Sequence, residues 1–579
     1  MMDAMPDDNS PLLLGPLLRF VGEHKATIWV ETTHAARVEV HIGERSWSAA
    51  TFVVEDHHYA LVMITDLEPG QVYEYRVTVD AEPVWPLADS PFPPSSIATL
   101  QHHRPTRLAF GSCRTSVPHD EEYHRSHGVD ALRTVALALA KGEATRPDAL
   151  ALLGDQVYAD ETSPAMLDFI SSRRDIDQAP YEEIKDYAEY AHLYRLAWSE
   201  PAIRWVLSIL PSAMIFDDHD IRDDWNTSWS WHQQMNRTSW WHERLVAGLA
   251  SYWVYQHIGN LAPEELAQDE VWRLVGDRTD AVPGDVDITA ELRLLAARVD
   301  DDPMTYRWSY TRALGDSRLI VLDSRAARVL EPNRRSMLDD DELAWFDEQL
   351  TGGVEHLFIG TSVPYLLPPG LHDTEAISES FARPERSAFV RRTAEAVRQV
   401  VDLEHWAAFQ SGFQEVFDLV LSVAKGERGT APRTITFLSG DVHHSYIAEV
   451  VDPGAAADGV HSRIIQAVCS PIRNPMPRGV RMLMSQMAKS LVRPMRWLAR
   501  RTSGVESPPH RWELTAGPWF DNNLALAEVD DDGQGLQLSW FTGDLVEGRD
   551  PVLRMVSSVR VDGVARPAAS RHPQEASGG

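Results

Sequence analysis

Two patterns of hydrophobic and polar positions divide the chain. Up to about residue 98, short segments rich in β-branched and aromatic residues alternate partly with polar ones and are separated by turn residues. The segments are TIWVETT, RVEVHIG, HYALVMITDL and YEYRVTVD. Alternation with a period of two places apolar side chains on one face of a strand, so we predict a small β-sandwich domain over residues 12–98. The Pro-rich run PLADSPFPPSS, which ends just before Ile97, is predicted to be a linker.

From about residue 106, short uninterrupted apolar runs alternate with longer helical patterns. The runs are RLAFGSC, DALALLGD, AMIFDDHD, RLIVLDSR, HLFIGTS and TITFLSGD. Uninterrupted runs of this length are typical of strands buried on both faces. The helical patterns include GVDALRTVALALAKG, PYEEIKDYAEYAHLYRLAW, RLVAGLASYWVYQHIG and SAFVRRTAEAVRQVV. This alternation predicts an α/β layered domain over residues 106–565 and leaves the order of its strands open.

Side chains with metal-binding chemistry follow four of these apolar runs. They are Cys113 after the first run, Asp155 and Tyr158 after the second, Asp217, Asp218 and His219 after the third, and Asp441 and His443 after the sixth. Because ligands of open α/β sheets bind outside the carboxyl ends of the strands, these side chains can converge at one edge. Each has an ordinary structural reading alone, as a buried thiol, a turn or a helix N-cap. Together, their oxygen, nitrogen and sulfur donors favour a transition-metal site with room for a harder cation.

Charge and cysteine usage narrow the class of protein. The chain has 54 basic and 86 acidic residues, a formal net charge of -32, and 2 cysteines among 579 residues. A field of this sign repels nucleic acids and anionic membranes, so no nucleic-acid-binding surface is predicted. Two cysteines exclude a disulfide scaffold and fit a reduced compartment. Since we find no signal peptide, twin-Arg signal or span of about 18 apolar residues, we expect a cytoplasmic protein.

Several segments depart from both patterns. We predict a flexible N-terminus at residues 1–11 and a disordered tail at residues 566–579. Residues 260–305 are acidic and irregular and are predicted to be an insertion or a helical cap, whereas residues 476–504 contain no acidic residue. Within the latter, residues 478–501 have the spacing of a basic amphipathic helix, which could contact an anionic membrane or dock on the acidic body of the protein. The net charge favours docking.

Four motifs carry a family resemblance. In chain order, FGSC, LGDQVYAD, FDDHDIRDDW and SGDVHHSY resemble the motif set of the PhoD-like alkaline phosphatases, within the calcineurin-like metallophosphoesterase superfamily. VLDSR and FDNNLALAEVD are weaker matches, and the resemblance extends from about residue 106 to about residue 535. It implies a layered metallophosphoesterase-type sheet sandwich with helices outside. The smaller domain in front resembles a fibronectin-type-III-like module.

The resemblance also implies the metals and the ligands of one of them. Cys113 falls on a thiolate ligand, Asp155 on a bridging carboxylate and Tyr158 on a phenolate ligand of the same iron. The implied cofactors are Fe3+ and Ca2+. The sequence lacks the D-x-H and G-N-H-[DE] motifs of the wider fold, which leaves Mn2+ or Zn2+ as alternatives.

Further positions match the remaining ligand motifs of the family. Asp218, with Asp217 beside it as the other candidate, falls on a second-metal ligand, and His219 falls on the neighbouring histidine of that motif. Asp441 and His443 match the last ligand motif, in which Asp replaces the more usual His. All of these residues are therefore expected at one metal centre.

These groups suit phosphate ester hydrolysis, which needs charge neutralisation, an activated water and help for the leaving group. Two metals bridged by Asp155 would supply the first two, and His219 is the candidate general acid. Arg114 and Arg325 are candidate clamps on the phosphoryl oxygens. We therefore expect a hydrolase of small-molecule phosphate esters, and the sequence does not separate a phosphomonoesterase from a phosphodiesterase. The alternative is a catalytically inactive scaffold that uses the β-sandwich and the basic helix to bind a partner or a membrane. The oligomeric state is not predicted.

Overall fold

The computed structural model of the chain describes residues 10–331, 334–382, 404–454, 459–476, 481 and 510–564. The predicted helix SAFVRRTAEAVRQVV, the C-terminal tail and nearly all of the basic segment 478–501 lie outside the described residues, as do residues 1–9. The fold is mixed α/β, with several sheets and with helices packed around them.

The N-terminal residues form a sandwich of two antiparallel sheets. One sheet has the order β1-β2-β6-β5 and the other β4-β3-β8-β9, and β7 pairs with β10. The strands are β1 (Leu12–Val21), β2 (Ala26–Thr32), β3 (Arg37–Ile42), β4 (Arg45–Ala50), β5 (Phe52–Val54), β6 (His57–Ile64), β7 (Val72–Glu74), β8 (Arg76–Val79), β9 (Glu82–Trp85) and β10 (Ser96–Ala98). The predicted strand segments are confirmed, whereas the likeness to a fibronectin type III module stays a prediction.

The sheet β1-β2-β6-β5 is buried on both faces. On β2, Ile28 and Val30 point into the core between the two sheets of the sandwich. Trp29, between them, points the other way and joins the large core of the rest of the chain. Because successive side chains of a strand alternate between faces, this sheet serves two cores at once. The sandwich is therefore packed into the molecule through a full sheet face.

Two larger sheets form the layered part of the molecule. Within the described residues their strand orders are β13-β12-β11-β21-β22-β23 and β14-β15-β16-β17-β19-β18-β20. The strands are β11 (Arg107–Gly111), β12 (Ala149–Leu153), β13 (Ser212–Ile215), β14 (Tyr310–Leu314), β15 (Ser317–Leu322), β16 (His356–Thr361), β17 (Thr434–Ser439), β18 (Ser445–Asp452), β19 (Arg463–Val468), β20 (Arg511–Trp519), β21 (Leu524–Val529), β22 (Gly535–Asp544) and β23 (Val552–Asp562). In the first sheet the parallel strands β13, β12 and β11 lie at one edge, and in the second the parallel strands β15, β16, β17 and β19 lie at the centre. Antiparallel strands complete both sheets.

The two large sheets pack face to face. Phe358 of β16 joins the core that also contains β11, β12 and β13. Its neighbours Leu357 and Ile359 point to the opposite face, where they meet the helices Asp340–Gln349 and Gln410–Ala424. Leu153, at the end of β12, lies against Gly360 of β16. All six apolar runs predicted as buried strands are strands in the structure, and their carboxyl ends lie near one another.

Helices cover the outer faces of the layered part. They are α1 (Glu121–His127), α2 (Ala131–Ala140), α3 (Pro164–Arg173), α4 (Tyr187–Trp198), α5 (Pro201–Ile209), α6 (Trp229–Met235), α7 (Trp241–Tyr252), a π-helix (Trp253–His257), α8 (Ile258–Asn260), α9 (Pro263–Leu266), α10 (Trp272–Val275), α11 (Thr289–Asp301), α12 (Asp340–Gln349), α13 (Pro369–Ala382), α14 (Gln410–Ala424) and two 3-10 turns (Pro303–Thr305 and Trp406–Ala408). Among the described residues, no helix has the length and apolar composition needed to cross a membrane.

Two sequence expectations change in detail. The helical pattern that starts at Pro180 yields a helix only from Tyr187, because the Asp186 side chain accepts a hydrogen bond from the Glu189 N–H and starts the helix there. The acidic segment 260–305 carries α9, α10 and α11 and contacts the β-sandwich, where the Val53 N–H donates to the Val286 carbonyl at 2.8 Å.

Candidate metal centre

The loops that follow β11, β12 and β17 meet at one edge of the two large sheets. The Cys113 N–H donates to the Gly154 carbonyl at 3.3 Å, which joins the first two loops. The Asp441 N–H donates to Ser112 Oγ at 3.1 Å, which joins the loop after β17 to the loop after β11. Carboxyl ends of strands from both sheets therefore converge, as the positions of the polar residues along the sequence predict.

Two glycines permit this close approach. A Cβ atom on Gly440 would lie 1.7 Å from Ser112 Oγ and 2.2 Å from Ser112 Cβ. A Cβ atom on Gly154, whose φ is +106°, would lie 2.8 Å from Asp217 Cβ. Side chains at these positions would push the loops apart.

Four of the predicted site residues have left-handed backbone conformations. Their φ angles are 58° at Cys113, 50° at Asp155, 65° at Asp441 and 49° at His443. Non-glycine residues rarely adopt this region, and where they do they are concentrated at functional sites. At Cys113, Asp155 and Asp441 this backbone, which costs conformational energy, accompanies ligand atoms that lie within 4.8 Å of one another.

Five of the predicted ligands lie close enough to one another in the structure to bind the same cations. In the described residues, three groups have ligand atoms that all lie within 4.8 Å of one another, and these are Cys113–Asp155–Asp441, Asp155–Asp217–Asp218–Asp441 and Asp218–His219–Asp223. The first two share Asp155 and Asp441, and the last two share Asp218. The groups therefore form one continuous set, with a thiol at one end and only oxygen donors in the middle.

Asp155 lies at the centre of this set and is fully buried. Neither of its carboxylate oxygens has a hydrogen-bond partner among the described residues. Burial raises the pKa of Asp155 well above its usual range; the His219 imidazole opposes this shift, and the carboxylates of Asp217 and Asp218 add to it. A buried carboxylate without donors is costly unless a cation compensates it, so this residue fits a metal ligand.

Cys113 and Tyr158 sit in the same buried environment. Cys113 Sγ lies 3.1 Å from Ser112 Oγ and 3.3 Å from Ser470 Oγ. Burial, reinforced by the carboxylates of Asp155 and Asp441, raises the pKa of the thiol well above its usual value. Burial likewise raises the pKa of the Tyr158 phenol, and again the Asp155 carboxylate adds to the shift. Only a cation at this position would favour the thiolate and the phenolate.

Arg325 closes one side of the acidic set and is fully buried. Its Nε donates to Asp217 Oδ1, and Nη1 and Nη2 donate to the two carboxylate oxygens of Glu404. Nη2 also lies 3.2 Å from Asp218 Oδ1 and 3.7 Å from Asp441 Oδ2. Although burial opposes the charge, these carboxylates raise the pKa of Arg325 well above its usual value, so it stays protonated.

After these ion pairs are formed, the centre still holds more carboxylates than guanidinium groups. Arg328 Nη1 also donates to Glu404, at 3.2 Å. Five carboxylates, those of Glu404, Asp155, Asp217, Asp218 and Asp441, therefore face two guanidinium groups. Bound cations would balance the remaining charge.

Arg114 points away from the set. Its Nε donates to Asp130 at 2.9 Å and its Nη1 donates to the Ala197 carbonyl at 2.8 Å. Asp130 is also the N-cap of α2. The guanidinium is thus engaged in holding α2 and α4 against the loop, and its expected contact with a phosphoryl group stays a prediction.

His219 and His443 border the set. Both oxygens of Asp160 lie close to His219 Nδ1, at 2.9 and 3.0 Å. The Tyr158 ring lies beside the imidazole with centroids 4.7 Å apart and the ring planes tilted by 34°. Although burial opposes it, the Asp160 carboxylate raises the pKa of His219 well above its usual value. Burial, together with the charge of His219, lowers the pKa of His443 to about 3. His443 is therefore neutral, the form in which imidazole binds metals.

Other residues at the centre were not predicted from the sequence. Glu404 pairs with Arg325, and His405 Nε2 lies 3.7 Å from Asp441 Oδ2. Asn474 Nδ2 donates to the Tyr158 hydroxyl at 3.1 Å. Asp160 lies in the motif LGDQVYAD and Asp223 in FDDHDIRDDW, and the repeated acidic residues of these motifs are a signal that could have identified both. By contrast, Glu404 and His405 come from LEHW, which carries no recognisable pattern.

Comparison with protein families decides the class of the protein. The model of the family "PhoD-like phosphatase" matches residues 129–503, which is more than half of the chain. The protein belongs to the PhoD-like phosphatase family. A second model, "Domain of unknown function (DUF7800)", matches residues 9–97. The comparison with curated proteins found no match.

A solved structure of PhoD supports the same fold. It aligns with a TM-score of 0.58 and 13% sequence identity, over 96% of this chain and 92% of that chain. At this identity the likeness concerns the fold alone. The type III pullulan hydrolase from Thermococcus kodakarensis also aligns, over 96% of this chain and 98% of that chain, but its TM-score of 0.13 at 10% identity carries no argument. PhoD-like phosphatases are metal-dependent, and this chain has the acidic clusters that such a reaction needs.

Proposed function

We propose that this PhoD-like phosphatase hydrolyses small-molecule phosphate esters at a centre built on Asp155. The observation that carries the proposal is the buried carboxylate of Asp155, which has no hydrogen-bond partner in the described part of the chain and lies within 4.8 Å of ligand atoms from Cys113, Asp217, Asp218 and Asp441. Membership of the family supports phosphoester hydrolysis, and the intact donor set disfavours an inactive scaffold.

We assign the two ends of the donor set to different metals. Cys113 and Tyr158 offer anionic sulfur and phenol oxygen donors that suit a ferric ion. Asp218 and Asp441 offer only carboxylate oxygens, which suit calcium. Asp155 belongs to both groups and would bridge them. When bound, such a metal pair neutralises the phosphoryl oxygens and activates a water.

The remaining residues would position the phosphoryl group and protonate the leaving alkoxide. His219 is oriented by Asp160 through Nδ1, which leaves Nε2 as the nitrogen that can give a proton to the leaving alkoxide. Arg325 is fixed by Asp217 and Glu404, so it would act on the phosphoryl group mainly through its charge. Whether the ester is a monoester or a diester depends on the space beyond these groups.

Replacement of Asp155 by Asn tests the proposal. Because a neutral amide cannot bridge two cations, we expect Asp155→Asn to reduce turnover of nitrophenyl phosphate and bis-nitrophenyl phosphate by at least about 1000-fold and to lower metal content. Both assays use protein purified without chelators. Asp148→Asn is the matched control: Asp148 lies at the opposite end of β12 and accepts a hydrogen bond from the Arg107 N–H at 2.8 Å. Near-normal turnover of folded Asp155→Asn would refute the assignment.

A further inference from the structure

The Arg19 side chain of the N-terminal β-sandwich reaches into the interior of the catalytic part. Arg19 of β1 is fully buried. Its Nη1 donates to the Tyr255 carbonyl, and its Nη2 donates to the Gln256 carbonyl at 2.7 Å and to Asn260 Oδ1 at 3.2 Å. Tyr255 and Gln256 belong to the π-helix, and Asn260 ends α8. A helix C-terminus presents unpaired carbonyls, and a guanidinium satisfies several of them at once.

A second group of contacts fixes the π-helix from the same sheet. The Tyr255 hydroxyl donates to Glu31 Oε2 at 3.0 Å and lies 3.1 Å from the Tyr59 hydroxyl. Trp29 packs on the Tyr255 ring with centroids 5.2 Å apart. Single π-helical turns inside helices are frequent at functional sites and need tertiary contacts to persist. Here those contacts come from β2 and β6 of the sandwich.

The Gln256 side chain leads from the π-helix to the metal-binding loops. Its Nε2 donates to Asp220 Oδ1 at 3.4 Å. Asp220 in turn accepts hydrogen bonds from the Asp217 N–H at 2.9 Å and the Val157 N–H at 3.4 Å. Asp217 lies in the loop after β13, and Val157 lies between Asp155 and Tyr158. Asp220 therefore ties two ligand-bearing loops together, and Gln256 holds Asp220.

The Asn260 side chain leads to the same loop by another route. Its Nδ2 donates to the Met214 carbonyl at 2.6 Å, and its Oδ1 accepts from the Met214 N–H at 2.9 Å. Met214 lies on β13, the outermost strand of its sheet, three residues before Asp217. The amide thus replaces a missing neighbouring strand and fixes the end of β13.

We propose that the N-terminal domain positions the ligand-bearing loops of the catalytic centre, with Arg19, Gln256 and Asn260 as the positioning residues. This rests on the proposed function only for the identity of the loops' ligands. The domain matched by the model of unknown function would thereby be a component of the active site rather than a separate module.

Three full-length variants test the proposal. Arg19→Lys keeps the charge, but its three donors sit on one nitrogen, whereas the Arg19 contacts are spread over Nη1 and Nη2 of a planar fork. Gln256→Met keeps the length of the side chain and removes the donor to Asp220. The control is Arg204→Met. Arg204 is buried at the same domain boundary, donates to the Gly15 carbonyl at 2.6 Å and lies over the Trp85 ring, and it has no hydrogen bond to the π-helix or the loops among the described residues.

The first measurement is amide hydrogen exchange of residues 154–160 and 212–220, which does not depend on activity or on metal. We expect at least tenfold faster exchange there in Arg19→Lys and Gln256→Met, and no local change in Arg204→Met. The second is metal affinity and kinetics, where we expect kcat to fall about tenfold or more with KM changed less than threefold. Failure of the proposed hydrolase function would leave the exchange result standing.

Two outcomes would overturn the proposal. One is a folded Gln256→Met variant whose amide exchange is unchanged in residues 154–160 and 212–220. The other is an Arg204→Met variant whose exchange in these residues is accelerated as much as in Arg19→Lys and Gln256→Met. If Arg19→Lys did not fold, Gln256→Met, which lies wholly outside the sandwich, would decide by itself.

Discussion

At the scale of single residues, Tyr158 is the ligand candidate with a distinctive signature. Its phenol is buried beside Asp155 and Cys113, where it ionises only if a cation is close. A ferric ion bound by this oxygen would give a visible charge-transfer band, so we expect coloured protein. Tyr158→Phe should remove most of the band, whereas Tyr365→Phe, a buried tyrosine that donates to the Phe413 carbonyl, should not. Colourless, fully active protein containing only zinc would contradict the assignment.

The proposed role of His219 as general acid can be tested with substrates whose leaving groups differ in pKa. Loss of the imidazole removes a proton donor and also a positive charge beside Asp155. Because the effect of the charge is shared by all substrates, the difference between substrates isolates the proton transfer. We expect His219→Ala to lower turnover of an alkyl phosphate ester by about 100-fold and of nitrophenyl phosphate by less than about tenfold. His232→Ala, a histidine of α6 near Asp300, is the control. Equal losses on both substrates would remove His219 from this role.

The sequence predicted residues at the centre but not their partners. Cys113, Asp155, Asp218 and Asp441 follow apolar runs, and that position, together with the family resemblance of their motifs, led us to expect them at one sheet edge. Arg114 was expected at the substrate, and the structure places its guanidinium on Asp130. The partners of Arg114 and Arg325 could not be inferred because ion pairs between distant segments leave no local pattern.

At the scale of elements, α12 carries a buried acid whose ionisation opposes folding. Burial, together with the Asp323 carboxylate, raises the pKa of Glu342 from 4.5 to about 8. Below pH 4.5 both the folded and the unfolded states hold this proton. Between pH 4.5 and 8 only the folded state holds it, so this residue's contribution to stability falls as pH rises through that window.

Replacement of Glu342 by Gln removes this dependence. The amide oxygen can still accept from the Trp308 N–H, which lies 3.3 Å from Glu342 Oε1. We expect the variant to gain on the order of 3 kcal/mol relative to the native chain between pH 5 and pH 8. Urea unfolding at both values measures the difference. The control is Glu348→Gln, on the exposed side of α12, whose free energy of unfolding should change with pH as that of the native chain does. The same pH dependence in Glu342→Gln would refute the prediction.

Elements were predicted better than their arrangement. Uninterrupted apolar runs identified the central strands β11, β12 and β17 because both faces of these strands are buried. The order of strands and the division into two sheets depend on pairings between segments hundreds of residues apart, such as β11 with β21. Nothing local in either strand specifies such a partner.

At the scale of the whole molecule, the sandwich and the layered part share one core. Phe52 meets Trp272 with ring centroids 5.9 Å apart, and Trp29 and Tyr59 surround Tyr255. The sequence suggested a linker and hence a separable domain, since alternation reveals that a strand has a buried face but not what covers it. In the sequence, the second buried face of β2 leaves only the short apolar run IWV, which does not identify what covers it.

Removal of the sandwich should therefore expose a large apolar surface. We expect a chain that begins at residue 99 to aggregate or to lack a cooperative thermal transition, because Tyr255 and Trp272 lose their cover. Gel filtration and near-ultraviolet circular dichroism measure this. A chain that begins at residue 10 is the control and should behave as the native protein. A monomeric, cooperatively melting shorter chain would show that the domains fold independently.

The left-handed backbone at the catalytic centre has a consequence for adaptation to heat. Glycine normally lowers stability relative to alanine, but at φ 49° the order at position 443 should reverse, with His443→Gly about 1 kcal/mol more stable than His443→Ala. Comparison of the two melting temperatures tests this, and the usual order would contradict it. The same holds at Cys113, Asp155 and Asp441. Selection for thermal survival alone would thus favour glycines at the positions of the proposed ligands, and a heat-resistance screen without an activity screen would lose those ligands first.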